Sequence, residues 1–374
     1  MTTQSETDES QHIETLIVGA GQAGLATAYH LQRAGRQCLV VDANERIGDN
    51  WRCHYDSLRL YSPVRYDGLP GMDFPGDPWH FPGKEEVAGF LEAYAVEHDL
   101  PVRLRTKVDR LLAGEGGGFT AHLGADVLEC DNVVLATGTF GRTPRVPEVA
   151  SRLDPRIRQL HSSAYKNPAQ LQPGTTLVVG ASHSGYDIAF EVGADRPTIL
   201  VGPERGNIPL EWDTRKFKML LPIVVFMWKH VLTRRTPMGR KEMRKVRHEG
   251  GPTTRVKSHH LAERGVDRFQ EKLTDASATG DPVLKDGRVL DVSSVIWATG
   301  FRRDLSWIDP PLSMDDGWPV EYRGVVDSTP GLFFCGLSFQ YAFGSMVLPG
   351  VGRDAAYVAK KIGARGGAKT PAAV

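Results

Sequence analysis

The four cysteines of this chain, Cys38, Cys53, Cys130 and Cys335, are scattered, with no C-x-x-C pair and no zinc-ligand spacing. Dithiol redox chemistry and a structural zinc site are thereby excluded, and the thiols read as buried small apolar residues in a reducing cytoplasm. A dominant charge is also missing, since 45 basic and 45 acidic side chains leave a formal net charge of +0. Nothing global draws the chain to nucleic acid or to an anionic membrane, so any partner must be recognised locally. No apolar run reaches the ~20 residues of a membrane span. Residues 1–12 are polar and acid-rich and lack the basic and apolar regions of a signal peptide, so they are expected to form a disordered tail on a cytoplasmic protein.

The chain does have patterned glycine. An apolar run, Ile13 to Val18, ends in Gly19-Ala20-Gly21-Gln22-Ala23-Gly24, and Leu25, Tyr29 and Leu31 then recur at roughly helical spacing up to Gly35, a position suited to a left-handed helix cap. A second apolar run, Cys38 to Val41, closes on Asp42. The whole is a strand, a turn, a helix and a strand. The pattern recurs from Thr176 to Val179, through Gly180-Ala181-Ser182-His183-Ser184-Gly185, along Tyr186 to Val192, and back as Thr198 to Val201. A further echo follows each copy: Leu135-Ala136-Thr137-Gly138 and Trp297-Ala298-Thr299-Gly300 stand about 120 residues beyond their glycine turns. With 374 residues and 41% hydrophobic content, two cores are expected.

In the first turn Gly19 permits a tight bend, Gly21 lets backbone approach a pyrophosphate, and Gly24 lets the helix pack closely on its strand. The helix start then faces phosphate with free N–H groups and partial positive charge, and Asp42, about 18 residues on, suits a ribose hydroxyl. The second turn carries Ser182 at the middle position, where its Cβ limits close approach and its hydroxyl offers a hydrogen bond. No acid closes the strand after Val201. Glu204 offers a carboxylate for a free ribose and Arg205 a guanidinium for a 2′-phosphate, and the reading favours NADPH over NADH. Between Arg205 and Asp267 an apolar stretch, Met219 to Leu232, precedes a basic run containing Arg234, Arg235, Arg240, Lys241, Arg244, Lys245 and Arg247. This reads as a packed helix with a solvated basic face, or alternatively as a substrate entrance touching a membrane surface or a partner.

From Ile13 to Ile362 the sequence resembles the flavin-containing monooxygenase superfamily, especially its compact bacterial and plant YUCCA-like members. Glu45-Arg46-Ile47-Gly48-Asp49-Asn50-Trp51 is similar to the second flavin segment of that family, with Asp49 in place of a glycine. His161-Ser162-Ser163-Ala164-Tyr165-Lys166 resembles the second half of its identifying motif, whose first half is lost because Pro155 and Ile157 hold the Phe and Gly positions. Both Ala-Thr-Gly segments match those at which family members pass between domains. Gly331 to Gly336 and Gly350 to Asp354 resemble the closing flavin segment, with a helix start expected near Gly352.

The resemblance implies an α/β fold with two Rossmann-like dinucleotide-binding domains, the NAD(P)H domain inserted into the FAD domain. The expected division is 13–142 and 291–364 for flavin and 143–290 for the linker and nicotinamide domain, with an insert at about 206–264 and a tail at 365–374. FAD would be held by Gly19, Gly21, Gly24, Asp42, Gly48, Trp51, Thr137, Gly138, Gly336 and Gly352. NADPH, or NADH, would be held by Gly180, Ser182, Ser184, Gly185, Arg205, Thr299 and Gly300, with Tyr165 and Lys166 beside it. The implied chemistry is hydride transfer from NADPH to flavin, addition of O2 at flavin C4a, and oxygen transfer from the hydroperoxide to nitrogen or sulfur of a small molecule. Catalytic roles fall to Tyr61, which stands where related enzymes carry an Asn, and to His161, expected to order the linker more than to move protons. Rival readings are a flavin reductase without oxygenation and a nucleotide-sensing regulatory flavoprotein.

Overall fold

The computed structural model describes residues 11–114 and 117–365. Two parallel sheets organise it, each built on one of the glycine turns. In the first, β1 (Gln11–Val18) pairs in parallel with β2 (Cys38–Val41) on one side and β6 (Asp126–Leu135) on the other. β3 (Val102–Arg103) extends the β2 edge, and β4 (Arg110–Ala113) and β5 (Phe119–Leu123) form an antiparallel meander on β6. β1 starts two residues earlier than expected. Gln11 and His12 pair with Leu128 and Glu129, so the long β6 draws them into the sheet. The expected tail therefore shrinks at this end; residues 1–10 and 366–374 lie outside the described residues.

Strand β1 is apolar on both faces, Leu16 and Ile17 being fully buried, as suits a central parallel strand covered by helices. Helix α1 (Gln22–Arg33) begins directly after Gly21 and ends in the left-handed cap expected at Gly35, φ +67°. There the Gly35 N–H donates to Gln32 O and the Arg36 N–H to Leu31 O, both at 3.0 Å, which satisfies carbonyls that the helix end would otherwise strand.

In the second sheet all the strands are parallel and lie in the order β10 (Val266–Phe269), β9 (Thr198–Val201), β8 (Thr176–Val179), β11 (Ser294–Trp297), β7 (Arg158–His161). Helix α4 (His183–Val192) links β8 to β9. The chain then returns to the first sheet, where β12 (Leu332–Phe334) pairs with the C-terminal end of β6, and α7 (Leu348–Arg365) packs on α1. The second unit is thus inserted into the first, as the fold reading expected. One border moves: β11, placed with the flavin part from about 291, belongs to the second sheet because Trp297 is in register with both Val179 and His161. The two chain passages between the units pair with each other, Phe301 with Pro144 and Arg302 with Thr143.

Between β9 and β10 the chain makes the excursion anticipated at about 206–264. Helix α5 (Arg215–Phe226) buries Phe217, Leu221 and Val225. That face joins Phe81 of the first unit, whose ring stacks on Trp212 at 3.7 Å between centroids. Helix α6 (Pro237–Glu249) follows a π-helical turn, Met227–Val231. The basic run is only partly a solvated face: Arg240, Lys241, Arg244 and Lys245 are exposed, whereas Arg234 and Arg247 converge on the fully buried Glu321 at 2.6 and 3.4 Å.

Candidate functional site

Each glycine turn is shaped by contacts that repeat between the two units. Gly19, φ +111°, donates its N–H to Val41 O at 2.8 Å, and a Cβ there would lie 2.5 Å from Ala136 O. Gly180, φ +112°, donates to Val201 O at 2.9 Å, and its Cβ would lie 2.3 Å from Ala298 O. At Gly24 and Gly185 a Cβ would fall 1.9 and 1.7 Å from the carbonyl oxygens of Gly19 and Gly180. These four glycines are fixed by backbone crossing backbone. The two Ala-Thr-Gly segments supply the crossing strands, with Ala136 N donating to Val18 O at 2.9 Å and Ala298 N to Val179 O at 2.8 Å.

The middle positions differ. Gly21 caps α1 with extended backbone, and nothing lies within 4 Å of the place a Cβ would take. No packing reason demands glycine there, yet the space opens directly before a helix N-terminus whose first N–H groups have no intrahelical partners. Ser182 caps α4 in the same way, and its hydroxyl makes no capping bond. Thr137 and Gly138 are exposed at the end of β6. Thr299 donates its hydroxyl to Arg145 O, and Gly300 O accepts from Arg145 N at 2.9 Å, so the second segment also ties down the linker. Arg205 and Ser184 are half-buried past the turn, and Glu204 is exposed.

Around the first turn, Asp42 is buried and accepts from Ala20 N at 2.7 Å and from Asn44 N at 2.8 Å, so it first of all braces the glycine loop. Gly48, φ +83°, is pressed against Ala88 of α3 (Lys84–Glu97), and Trp51, on α2 (Asp49–Arg52), packs against the apolar cores of both units. Asp49, which stands in place of a glycine, bonds Arg46 and Arg52 at 3.1 and 3.2 Å and so builds its own turn. Gly336, φ +89°, meets Ala23 near the start of α1. Gly352 departs from expectation: α7 starts at Leu348, and Gly352 lies inside it against Pro70, 2.7 Å from the position of its Cβ, so packing explains it. Two residues further on, Asp354 was not foreseen as a site residue. It is fully buried, neither carboxylate oxygen completes a well-formed hydrogen bond among the described residues, and burial pushes it up to about 6.

The motif from His161 to Lys166 holds the units together. His161 Nε2–H donates to Gly300 O at 2.9 Å, Nδ1 accepts from Ser163 N at 3.2 Å, and burial pushes the ring below the ordinary histidine range. Both nitrogens are engaged inside the protein, as suits a residue that orders the linker more than one that moves protons. Tyr165, expected beside the nicotinamide, is instead fully buried and donates to Glu191 at 2.8 Å. The Lys166 ammonium donates to Cys53 O and its carbonyl accepts from Asp56 N at 2.8 Å, clasping the loop that leads to Tyr61. Cys53 itself is exposed, unlike the other three cysteines, because this loop leaves the core.

Tyr61 is half-buried at the junction. Its hydroxyl donates to Asp187 Oδ2 at 3.2 Å, Tyr55 donates to the same oxygen at 3.1 Å, and the Tyr61 ring lies 4.4 Å from that of His183. Asp187 and His183 belong to α4, so residues of both units form this cluster. Burial pushes the Asp187 carboxyl up and the His183 imidazole down to about 4. Beyond Tyr61 lies a small apolar pocket, about 10 Å³ in volume, walled by the excursion, including Leu210, Trp212, Phe217, Leu221 and Trp228. The sequence signal for Asp187 was a carboxylate on the buried side of an otherwise apolar helix, one turn past Gly180-to-Gly185.

Two joined dinucleotide units, with a polar cluster at their junction opening into an apolar pocket, define an oxidoreductase of the two-domain, nucleotide-dependent class. Residues 16–225 match the family described as pyridine nucleotide-disulphide oxidoreductase. The chain is 39% identical over 365 residues to an uncharacterized oxidoreductase, CzcO-like, of Geobacillus kaustophilus, covering 94% of this chain and 99% of the relative. It is 27% identical to the probable indole-3-pyruvate monooxygenase YUCCA1 of Arabidopsis thaliana, over 84% of this chain and 83% of that one. Among solved structures, the flavin-containing monooxygenase from Stenotrophomonas maltophilia is similar with a TM-score of 0.73 at 24% identity, covering 95% and 99% of the two chains. The OTEMO complex with FAD and NADP is similar with a TM-score of 0.69 at 17% identity, covering 95% and 85%. The chain belongs to the pyridine nucleotide-disulphide oxidoreductase family. It is an oxidoreductase that lacks the cysteine pair of disulphide chemistry.

Proposed function

We propose that the chain is an FAD-dependent, NADPH-consuming monooxygenase that inserts one oxygen atom from O2 at a nitrogen or sulfur centre of a small apolar molecule. The observation that carries this reading is the paired glycine turns, one with an open middle glycine and one with Ser182, in two units joined through the Tyr55–Asp187–Tyr61 cluster. The first cradle fits FAD: Gly21 leaves room for a pyrophosphate before α1, and Asp354 is a buried acceptor in want of a hydroxyl donor such as a sugar alcohol. Gly48, Trp51, Thr137, Gly138 and Gly336 complete that set. Gly180, Ser182, Ser184, Gly185, Thr299 and Gly300 suit the nicotinamide dinucleotide, and Arg205 suits its 2′-phosphate.

When bound, flavin supplies hydride acceptance and the activation of O2. The protein supplies position and dryness. The helix starts at Gln22 and His183 would face the phosphates, His161 and Lys166 fix the linker, and the Tyr61 hydroxyl, held by Asp187, is a donor that lines the apolar pocket. Trp212, Phe217 and Leu221 line the pocket and would keep water from a reacting centre beside it. The relatives and neighbours named as monooxygenases support oxygenation over plain reduction. The test is incorporation of one atom of labelled O2 into a product at the expense of NADPH.

A further inference from the structure

The excursion that roofs the pocket has a second apolar face, and this one is bare. On α5 the buried positions are Phe217, Leu221 and Val225. The opposite side carries Met219, Ile223 and Phe226, exposed at 68, 57 and 58%, at helical spacing i, i+4, i+7. Met227 and, at the start of α6, Met238 add to it at 38 and 55%. A helix that is apolar all round while lying at the surface leaves one face in want of a partner.

The charge around this face is one-sided. Between Asp213 and Glu242 there is no acidic residue, whereas Arg215, Lys216, Lys218, Arg235, Arg240 and Lys241 are exposed there, in a chain whose totals balance. Arg215, Lys216 and Lys218 occupy the first turns of α5, where the helix macrodipole disfavours cations, with Asp213 the one acid next to the helix start. Arg215 and Lys216 are exposed. The inner side of the segment is meanwhile fastened, since Arg353 Nη1 donates to Lys229 O at 2.6 Å. A second copy of this chain would bring like charges together across the contact, which disfavours it.

We infer that the outer face of α5, with the adjoining turn at Met227 and Met238, docks on an anionic phospholipid membrane surface. Met219, Ile223 and Phe226 enter the acyl boundary while Arg215, Lys216 and the exposed cations nearby meet lipid phosphates. The helix is one turn-width, ~10 Å across, so docking sets the apolar pocket that its inner face lines directly beneath the bilayer surface.

The experiment is co-sedimentation of the full chain with vesicles of phosphatidylcholine and phosphatidylserine at about 3:1, and with vesicles of phosphatidylcholine alone, in about 0.1 M salt. The wild type is expected to partition to the anionic vesicles and to leave the neutral ones. Ile223→Ser with Phe226→Ser should lower partitioning at least tenfold. Arg215→Glu with Lys216→Glu should lower it comparably, at roughly fivefold per cation removed. The second pair puts acids where the macrodipole favours them, so its loss of binding cannot come from a weakened helix. Failure of the wild type to sediment with anionic vesicles, or undiminished binding by either double variant, overturns the inference. So does a dimer, seen by size analysis without vesicle binding, that the serine pair dissolves.

Discussion

Tyr61 of the first unit donates its phenol proton to Asp187 of the second at 3.2 Å, and Tyr55 donates to the same carboxylate oxygen at 3.1 Å. Two hydroxyls from one domain thus converge on one buried acid of the other. Removal of Asp187 leaves both without an acceptor in a buried setting, so Asp187→Ala should cost about 2–4 kcal/mol of stability. Tyr61→Phe removes one donor and leaves the acid bonded to Tyr55, at about 1–3 kcal/mol. If the Tyr61 hydroxyl also serves the reacting centre, the phenylalanine variant should release more hydrogen peroxide per NADPH consumed and less oxygenated product. An unchanged ratio would confine Tyr61 to packing and domain contact.

Gly21 and Gly24 stand three residues apart and should respond in opposite ways. A Cβ at Gly24 would lie 1.9 Å from Gly19 O, so Gly24→Ala should fail to fold. At Gly21 the same atom meets nothing within 4 Å. Gly21→Val should therefore fold, with an unaltered circular-dichroism spectrum, yet purify without the flavin absorbance of the wild type. Full flavin occupancy in that variant would remove the first turn from the cofactor site.

Arg205 is the proposed reader of the 2′-phosphate. A charge-assisted bond of this kind is worth about 1.5–3 kcal/mol, or roughly ten- to a hundredfold in affinity. Arg205→Ala should raise the KM for NADPH by that factor and leave the KM for NADH nearly unchanged. Equal effects on both would mark Arg205 as structural.

Asp67 is fully buried, accepts from Ser62 Oγ at 2.6 Å, and is pushed up to about 8 by burial. An acid whose folded-state pKa is raised binds its proton more tightly when folded, so its contribution is complete below about pH 4 and is lost as pH rises toward 8. At ~1.4 kcal/mol per unit, the loss across this window is on the order of a few kcal/mol. Asp67→Asn should flatten that part of the stability profile and exceed the wild type in denaturant midpoint at pH 9. A variant less stable than the wild type at pH 9 would contradict the assignment.

What the sequence disclosed was local. The strands at Cys38–Val41, Thr176–Val179 and Thr198–Val201 and the cap at Gly35 stand where periodicity and glycine spacing put them. Long-range partners were not legible. Asp67 and Asp354 look like ordinary surface acids until the fold buries them, and Tyr165 looks like a ligand-facing residue until Glu191, on another element, claims its hydroxyl. Gly352 shows the same limit from the other side: its glycine answers Pro70, distant in sequence, and no cofactor is needed to explain it. The outer apolar face of α5 was masked because its inner face, in the same run, accounted for the hydrophobicity.

The most direct measurement is turnover under labelled O2. Purified protein, reconstituted with FAD and supplied with NADPH and a panel of small amines and thioethers, is followed by product mass. The expected result is a product heavier by one labelled oxygen atom, formed with NADPH consumption and absent when O2 or NADPH is withheld. NADPH oxidation that yields only hydrogen peroxide or a reduced acceptor, with no labelled product across the panel, would contradict oxygenation and leave a flavin reductase.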